Sequence, residues 1–298
     1  MSSEDGPGLR TTVFLKGCPL RCGWCHNPES IDPRGEVLWH SARCMGCGSC
    51  AAACPAGALA FGASGVVIDR ARCTGCFTCC EACPAGALEA KGLPWDIVKL
   101  CRELLKDRAY WGEEGGVTLS GGEALMQEPA VDLLRLLKAR GAHVAVDTCG
   151  LVPEARLRSA LEHCDMVLYD IKIADSALHR ELTGAGNEEI LRNLRIVADW
   201  AKQDCRLWVR TPIIPGATDD DSNIRSIGEL LKEHSDAIER WELCAFNNLC
   251  ESKYRSMGGT WEFAGVSKMT RPRMEALCEI AKSTNACADT RWTGAAKE

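Results

Sequence analysis

Short apolar runs alternate along the chain with longer stretches in which apolar residues recur every three to four positions. The runs at 10–16, 116–119, 142–147, 166–171, 206–211 and 240–246 read as strands, and the spacing between them predicts helices over 94–108, 129–139, 153–163, 187–202 and 222–235. Strand–helix alternation at this interval argues for an α/β chain of parallel βαβ units, in a sheet or in a barrel.

Residues 35–92 break the pattern. Cys44-Met45-Gly46-Cys47-Gly48-Ser49-Cys50, followed by Cys54-Pro55-Ala56-Gly57-Ala58-Leu59, recurs 29 residues later as Cys73-Thr74-Gly75-Cys76-Phe77-Thr78-Cys79 and Cys83-Pro84-Ala85-Gly86-Ala87-Leu88. Apolar residues are few in this stretch, so neither copy buries a core alone and a metal cluster must supply the organising energy. The unit reads as an insertion after the first strand, dividing the chain into a large domain (1–34 and 93–298) and a small one (35–92).

Twenty cysteines in 298 residues change the picture further. Disulfide frameworks belong to small secreted domains, and nothing here routes the chain outward; clustered cysteines in a reducing cytosol hold metal. Twelve of the twenty lie between Cys18 and Cys83, and eleven of those fall into three tight sets. The other nine read as packing, with Cys250 the one to watch. The net charge of −6 and the lack of a basic stripe disfavour a nucleic-acid partner. No run approaches the roughly 18 apolar residues of a membrane span, and no signal peptide opens the chain, so a cytoplasmic protein is expected.

The first set, Cys18-Pro19-Leu20-Arg21-Cys22-Gly23-Trp24-Cys25, places three thiolates around one loop. Three thiolates hold three irons of a 4Fe–4S cluster and leave the fourth open, as a catalytic metal requires; a zinc knuckle completed by His26 is the competing reading. The repeat matches the bacterial ferredoxin run twice. In such pairs the fourth cysteine of each run serves the other cluster, giving Cys44, Cys47, Cys50 and Cys83 for one and Cys73, Cys76, Cys79 and Cys54 for the other. Two zinc sites are the alternative, and Cys80 leaves an ambiguity of register.

Ser120-Gly121-Gly122-Glu123 follows a strand directly; the glycines permit close backbone approach and the carboxylate suits an ammonium group, although such a segment is also an ordinary turn. Asp147-Thr148, Asp170, Lys172 and Arg210 likewise end strands. Singly each reads as a cap or a surface charge. Together they fall at the carboxyl ends of parallel strands, where one cleft holds them all.

The cysteine loop resembles that of the radical S-adenosylmethionine (SAM) superfamily. Glu4-Asp5-Gly6-Pro7-Gly8-Leu9-Arg10, Asn27-Pro28-Glu29-Ser30 and the stretches 118–123, 147–150, 169–172, 179–184, 210–216 and 253–258 resemble the glycyl radical enzyme activases, in the branch with a two-cluster insert. The resemblance implies a partial (β/α)6 TIM-like barrel with a ferredoxin-like insertion, carrying three 4Fe–4S clusters. SAM chelates the open iron and is cleaved reductively to a 5′-deoxyadenosyl radical, which takes hydrogen from a glycine of a partner glycyl radical enzyme. It further implies that Asp5 lies where the partner's loop enters and, with Lys172, carries the catalytic positions. Trp24, Gly121, Gly122, Glu123, Asp170, Lys172 and Arg210 surround SAM, and Asp147, Thr148 and Asp170 a monovalent cation. The chain departs from the family in a shorter lead-in before Asp5 and in Asn247, which stands where the family has a histidine approaching SAM. A flavodoxin or ferredoxin donor and a monomer are expected. The rival readings are a radical SAM enzyme acting on another peptide or protein, and an electron-transfer iron–sulfur protein.

Overall fold

In the computed structural model, which describes residues 1–298 except Ser64 and Asp204, strand β1 (Arg10–Leu15) leads into the cysteine loop, and the insert follows that loop. The insert comprises β2 (Glu36–Trp39), α1 (Ser49–Ala53), β3 (Leu59–Gly62), β4 (Gly65–Ile68), α2 (Thr78–Glu81) and β5 (Leu88–Lys91). Next come α3 (Ile97–Leu104), β6 (Gly116–Gly121), α4 (Pro129–Ala139), β7 (Val144–Thr148), α5 (Glu154–Leu161) and β8 (Met166–Asp170). The chain ends with α6 (Ser176–Thr183), α7 (Glu188–Ala201), β9 (Arg206–Ile213), α8 (Asp221–Lys232), β10 (Arg240–Ala245), α9 (Glu251–Ser256), α10 (Arg271–Ser283) and β11 (Thr290–Thr293).

Seven parallel strands form one sheet in the order β1-β6-β7-β8-β9-β10-β11. The sheet curls, because Phe14 of β1 and Thr293 of β11 line the same cavity, yet the two end strands do not pair. The result is a half-barrel with an open seam. It has one strand more than the six expected: β11 is only four residues, Thr-Arg-Trp-Thr, too short to show an alternation.

Period-two alternation sorts the strand residues. Val144, Val146, Val167, Tyr169, Leu207 and Val209 face the outer helices in the main core, while Ala145, Met166, Leu168 and Trp208 form a separate apolar cluster inside the half-barrel. The helices cover the sheet through matching stripes. In α4, Ala130, Leu133, Leu134 and Leu137 are buried at helical spacing, each leucine contributing about 2 kcal/mol. Helix α3 is shorter than the expected 94–108, because the Asp96 side chain accepts from Lys99 N and caps the helix there, and a 3-10 turn takes over from Leu105. Helices α6, α9 and α10 were not among the sequence expectations.

In the insert, β2 pairs antiparallel with β5, so the entering and leaving segments hold each other, and β3 pairs with β4. Its buried cluster is small: Val37, Cys50, Ala58, Leu59, Val66, Cys79 and Leu88, two of them cysteines.

Candidate active site

A cavity of about 450 Å³ opens at the carboxyl ends of the barrel strands. Asp5, Cys18, Cys22, Trp24, Cys25, Gly121, Gly122, Asp147, Thr148, Asp170, Lys172, Arg210 and Asn247 all line it, so residues spread over some 240 positions meet in one place. The cysteines of the insert do not; they form their own groups.

The cysteine loop follows β1 and is held from behind by the chain's later segment. Lys253 Nζ donates to His26 O (3.0 Å), Asn27 Oδ1 (2.7 Å) and Glu29 Oε1 (2.7 Å). Tyr254 Oη donates to Cys25 O (2.9 Å) and Trp261 Nε1 to Gly23 O (3.0 Å). The carbonyls of the loop are thereby satisfied away from the cavity, leaving the thiols free to face it. Burial pushes the Cys22 thiol up to about 11 and Cys25 to about 12, whereas the hydrogen bond from Cys149 holds Cys18 below its ordinary value. A bound metal must therefore displace protons from Cys22 and Cys25. His26 Nε2 meets Asn247 O at 3.0 Å, so that ring nitrogen is engaged with backbone. This geometry disfavours the zinc knuckle. Three thiols of one loop line a common cavity, so the donor set fits a 4Fe–4S cluster with one open iron.

Gly121 and Gly122 approach protein backbone as well as the cavity. A Cβ on Gly122 would lie 2.4 Å from Gly17 O and 2.6 Å from Ser30 O, and Gly121, at φ +119°, would meet Leu15 N at 2.3 Å. They dock the base of the cysteine loop onto β6. Glu123 departs from its expected place: it is fully buried and outside the cavity lining, and its carboxylate accepts from Thr148 Oγ1 (2.9 Å), Cys149 N (2.8 Å) and Leu125 N (3.1 Å). With those donors committed to it, the side chain supports the Thr148–Cys149 turn from below instead of facing a ligand.

The charged residues form a network. Lys172 pairs with Asp170, and Arg210 Nη1 lies 3.9 Å from Asp147 Oδ1. Burial raises Asp147 to about 6 against the pull of Arg210. Burial acts to lower Lys172, but Asp170 and the nearby thiols outweigh it and keep the amine charged. Asp5 sits at the rim, where Thr12 Oγ1 donates to its Oδ2 (2.6 Å) and Thr118 Oγ1 to its carbonyl (2.8 Å). The Asp5–Gly8 turn is anchored by Arg10, which is fully buried and donates to Thr118 Oγ1, Val117 O and Pro7 O.

Cys149, Cys244, Phe14 and Ser120 also line the cavity and were not among the expected ligand contacts. Cys149 adjoins Asp147-Thr148, which was the available signal; the inward parity of Cys244 depends on the register of β10 and left none.

In the insert a small cavity is bounded by Cys44, Cys47, Cys50 and Cys83, the crossed set that the ferredoxin pattern predicts. The two copies mirror each other in detail. Ala58 N donates to Cys54 Sγ and Ala87 N to Cys83 Sγ, both at 3.3 Å, and Cys47 Sγ and Cys76 Sγ each contact a hydroxyl two residues on at 3.4 Å.

A half-barrel whose mouth gathers a C-x3-C-x2-C loop and the strand-end charges defines a radical SAM enzyme. Residues 72–225 match the Radical SAM superfamily, residues 43–87 a 4Fe-4S dicluster domain and residues 4–56 a 4Fe-4S single cluster domain. The chain is 37% identical to the trans-4-hydroxy-L-proline dehydratase activating enzyme of Clostridioides difficile, over 95% of this chain and 94% of that one. It is 38% identical to the benzylsuccinate synthase activating enzyme of Thauera aromatica, over 95% and 87%. Streptococcus suis SuiB bound to precursor peptide SuiA shares the fold, with TM-score 0.56 and 11% identity over 97% of this chain and 50% of that one. The chain belongs to the glycyl radical enzyme activating enzymes of the radical SAM superfamily, and it uses SAM and iron–sulfur clusters.

Proposed function

We propose that the chain reduces SAM at the Cys18/Cys22/Cys25 site and installs a glycyl radical in a partner glycyl radical enzyme. The convergence of that trio with Asp5, Asp170, Lys172 and Arg210 on one cavity open at the barrel seam carries the reading. With cluster and SAM bound, the site supplies reductive cleavage of the sulfonium S–C5′ bond, giving methionine and a 5′-deoxyadenosyl radical that takes hydrogen from the glycine Cα.

The chain's own residues bind, orient and exclude water. Cys18, Cys22 and Cys25 hold three irons. Trp24, buried and edge-on to Phe263 at 6.4 Å, forms an apolar wall for the adenine. Arg210 and Lys172 hold the carboxylate end of SAM, while Gly121 and Gly122 offer backbone to its amino group. Asp147, Thr148 and Asp170 surround a monovalent cation. Asn247 replaces the charge of a histidine with a neutral amide whose Oδ1 accepts from Leu249 N at 3.2 Å. Asp5, fixed at the rim, meets the backbone of the incoming glycine loop.

The unit 35–92 carries two further 4Fe–4S clusters, for three in all, and passes electrons from a flavodoxin or ferredoxin. The remaining residues form the barrel, and the protein works as a cytoplasmic monomer. No helix among the described residues is long and apolar enough to cross a membrane.

Anaerobically reconstituted protein given SAM and dithionite forms 5′-deoxyadenosine, and with a matching partner it raises a glycyl radical EPR doublet. Absence of 5′-deoxyadenosine from fully iron-loaded protein overturns the reading.

A further inference from the structure

Four residues stand side by side on four neighbouring strands. Asp170 of β8 is in register with Arg210 of β9, Arg210 with Glu242 of β10, and Glu242 with Arg291 of β11. Charge alternates along this row, the arrangement in which directly opposed side chains attract. Asp170 and Arg210 line the upper cavity, whereas Glu242 and Arg291 line a second, polar cavity of about 390 Å³. Glu242 is 6% exposed and lies outside the upper cavity lining, and its carboxylate faces that cavity's Arg210.

Both sides of the Glu242 carboxylate are engaged. Its Oε2 lies 3.7 Å from Arg210 Nε and its Oε1 accepts from Arg240 Nη1 at 3.3 Å. Arg240 is itself fixed twice: Nε donates to Asp289 Oδ2 at 2.9 Å, and the guanidinium stacks 3.7 Å over the Trp208 ring. Arg210 Nε is buried and makes no hydrogen bond among the described residues. The nearby Glu242 carboxylate therefore balances the back of this guanidinium, while Nη1 reaches toward Asp147 in the cavity. Because a guanidinium is planar and rigid, holding its Nε side sets where its Nη groups point.

We infer that Glu242 is a positioning residue, braced by Arg240, that orients Arg210 so that its Nη groups meet the carboxylate of SAM. This rests on the reading of the upper cavity as the SAM site.

The test is calorimetric titration of SAM into anaerobically reconstituted holoenzyme, with iron content and melting temperature matched between variants. Glu242→Gln keeps the shape and removes the charge; it weakens SAM at least about fivefold, and Glu242→Asp recovers part of the loss. In an Arg210→Ala background the same Glu242→Gln change has no further effect, because it acts through Arg210 alone. Wild-type affinity in Glu242→Gln overturns the inference, and so does an equal loss in the two backgrounds, the signature of a merely structural role. Wild-type holoenzyme that binds no SAM overturns the reading of the cavity itself, a result visible before any variant is made.

Discussion

Lys253 Nζ lies 2.7 Å from Glu29 Oε1, although 224 residues separate them in the chain. This ion pair joins α9 to the loop bearing the first cysteine trio, and the same amine also donates to His26 O and Asn27 Oδ1. The Lys-Tyr-Arg-Ser-Met-Gly stretch thus clamps the cluster loop. Just past the helix Met257 O accepts from Arg70 of the insert at 2.9 Å, so one short segment contacts both iron–sulfur units.

Lys253→Met should loosen the loop, with a loss of about 1–2 kcal/mol from three charge-assisted bonds at a half-exposed site. The expected result is slower SAM cleavage and lower iron occupancy at Cys18/Cys22/Cys25, with the insert's clusters unaffected. Site-resolved EPR after reconstitution checks it, and equal loss at all clusters would contradict the clamp.

Glu123 supports the Thr148–Cys149 turn from a fully buried position, and burial raises its carboxyl above the usual range. Glu123→Ala strands the amides of Cys149 and Leu125 and the hydroxyl of Thr148, costing about 2–4 kcal/mol. Glu123→Gln, which exchanges one acceptor oxygen for a donor, should fall between. Denaturant unfolding of the two variants gives the order; if both match the parent, the carboxylate is not the support of the turn.

On the proposed three-cluster reading, replacing Cys18, Cys22 and Cys25 together by alanine removes about 4 of about 12 irons per chain and all SAM cleavage, sparing the ferredoxin-like pair. Replacing Cys44, Cys47 and Cys50 should instead leave SAM binding intact and slow electron delivery. Iron analysis with 5′-deoxyadenosine yield distinguishes the two. Loss of SAM binding in the second set would show that the insert builds the active site rather than feeding it.

Asp147 titrates near 6 in the folded protein against an ordinary 3.8. Between those values the folded state binds more protons than the unfolded one, so stability from this group is fully present below about pH 4 and is lost as pH rises through about 6, by about 3 kcal/mol at most. Asp147→Asn should therefore gain melting temperature relative to the parent as pH goes from 5 to 7.5. Melting curves that stay parallel across that range would refute the raised value.

Much of the site was legible because its chemistry is local. Cysteine spacing within one loop is set by sequence alone, and Gly121-Gly122 and Asp147-Thr148 announce themselves by following apolar runs. The helix at 129–139 was read to the residue because Pro129 starts it and its leucines recur at helical spacing. Long-range partners were not legible. Glu123 looked like a ligand contact, and only packing showed its carboxylate turned toward Cys149 N. Glu242 lies in an expected strand but nothing in the sequence set it apart, and residues 290–293 carried no expectation.

From sequence alone came the parallel α/β order and the three cysteine sets, since each depends on residue type and separation along the chain. Tertiary structure decided which strand faces turn inward, that a seventh strand joins the sheet, and that Lys253, Glu123 and Glu242 stand behind the site rather than in it. Side-chain direction on a strand flips with a shift of one residue, and register is settled only when neighbouring strands pack against a common core.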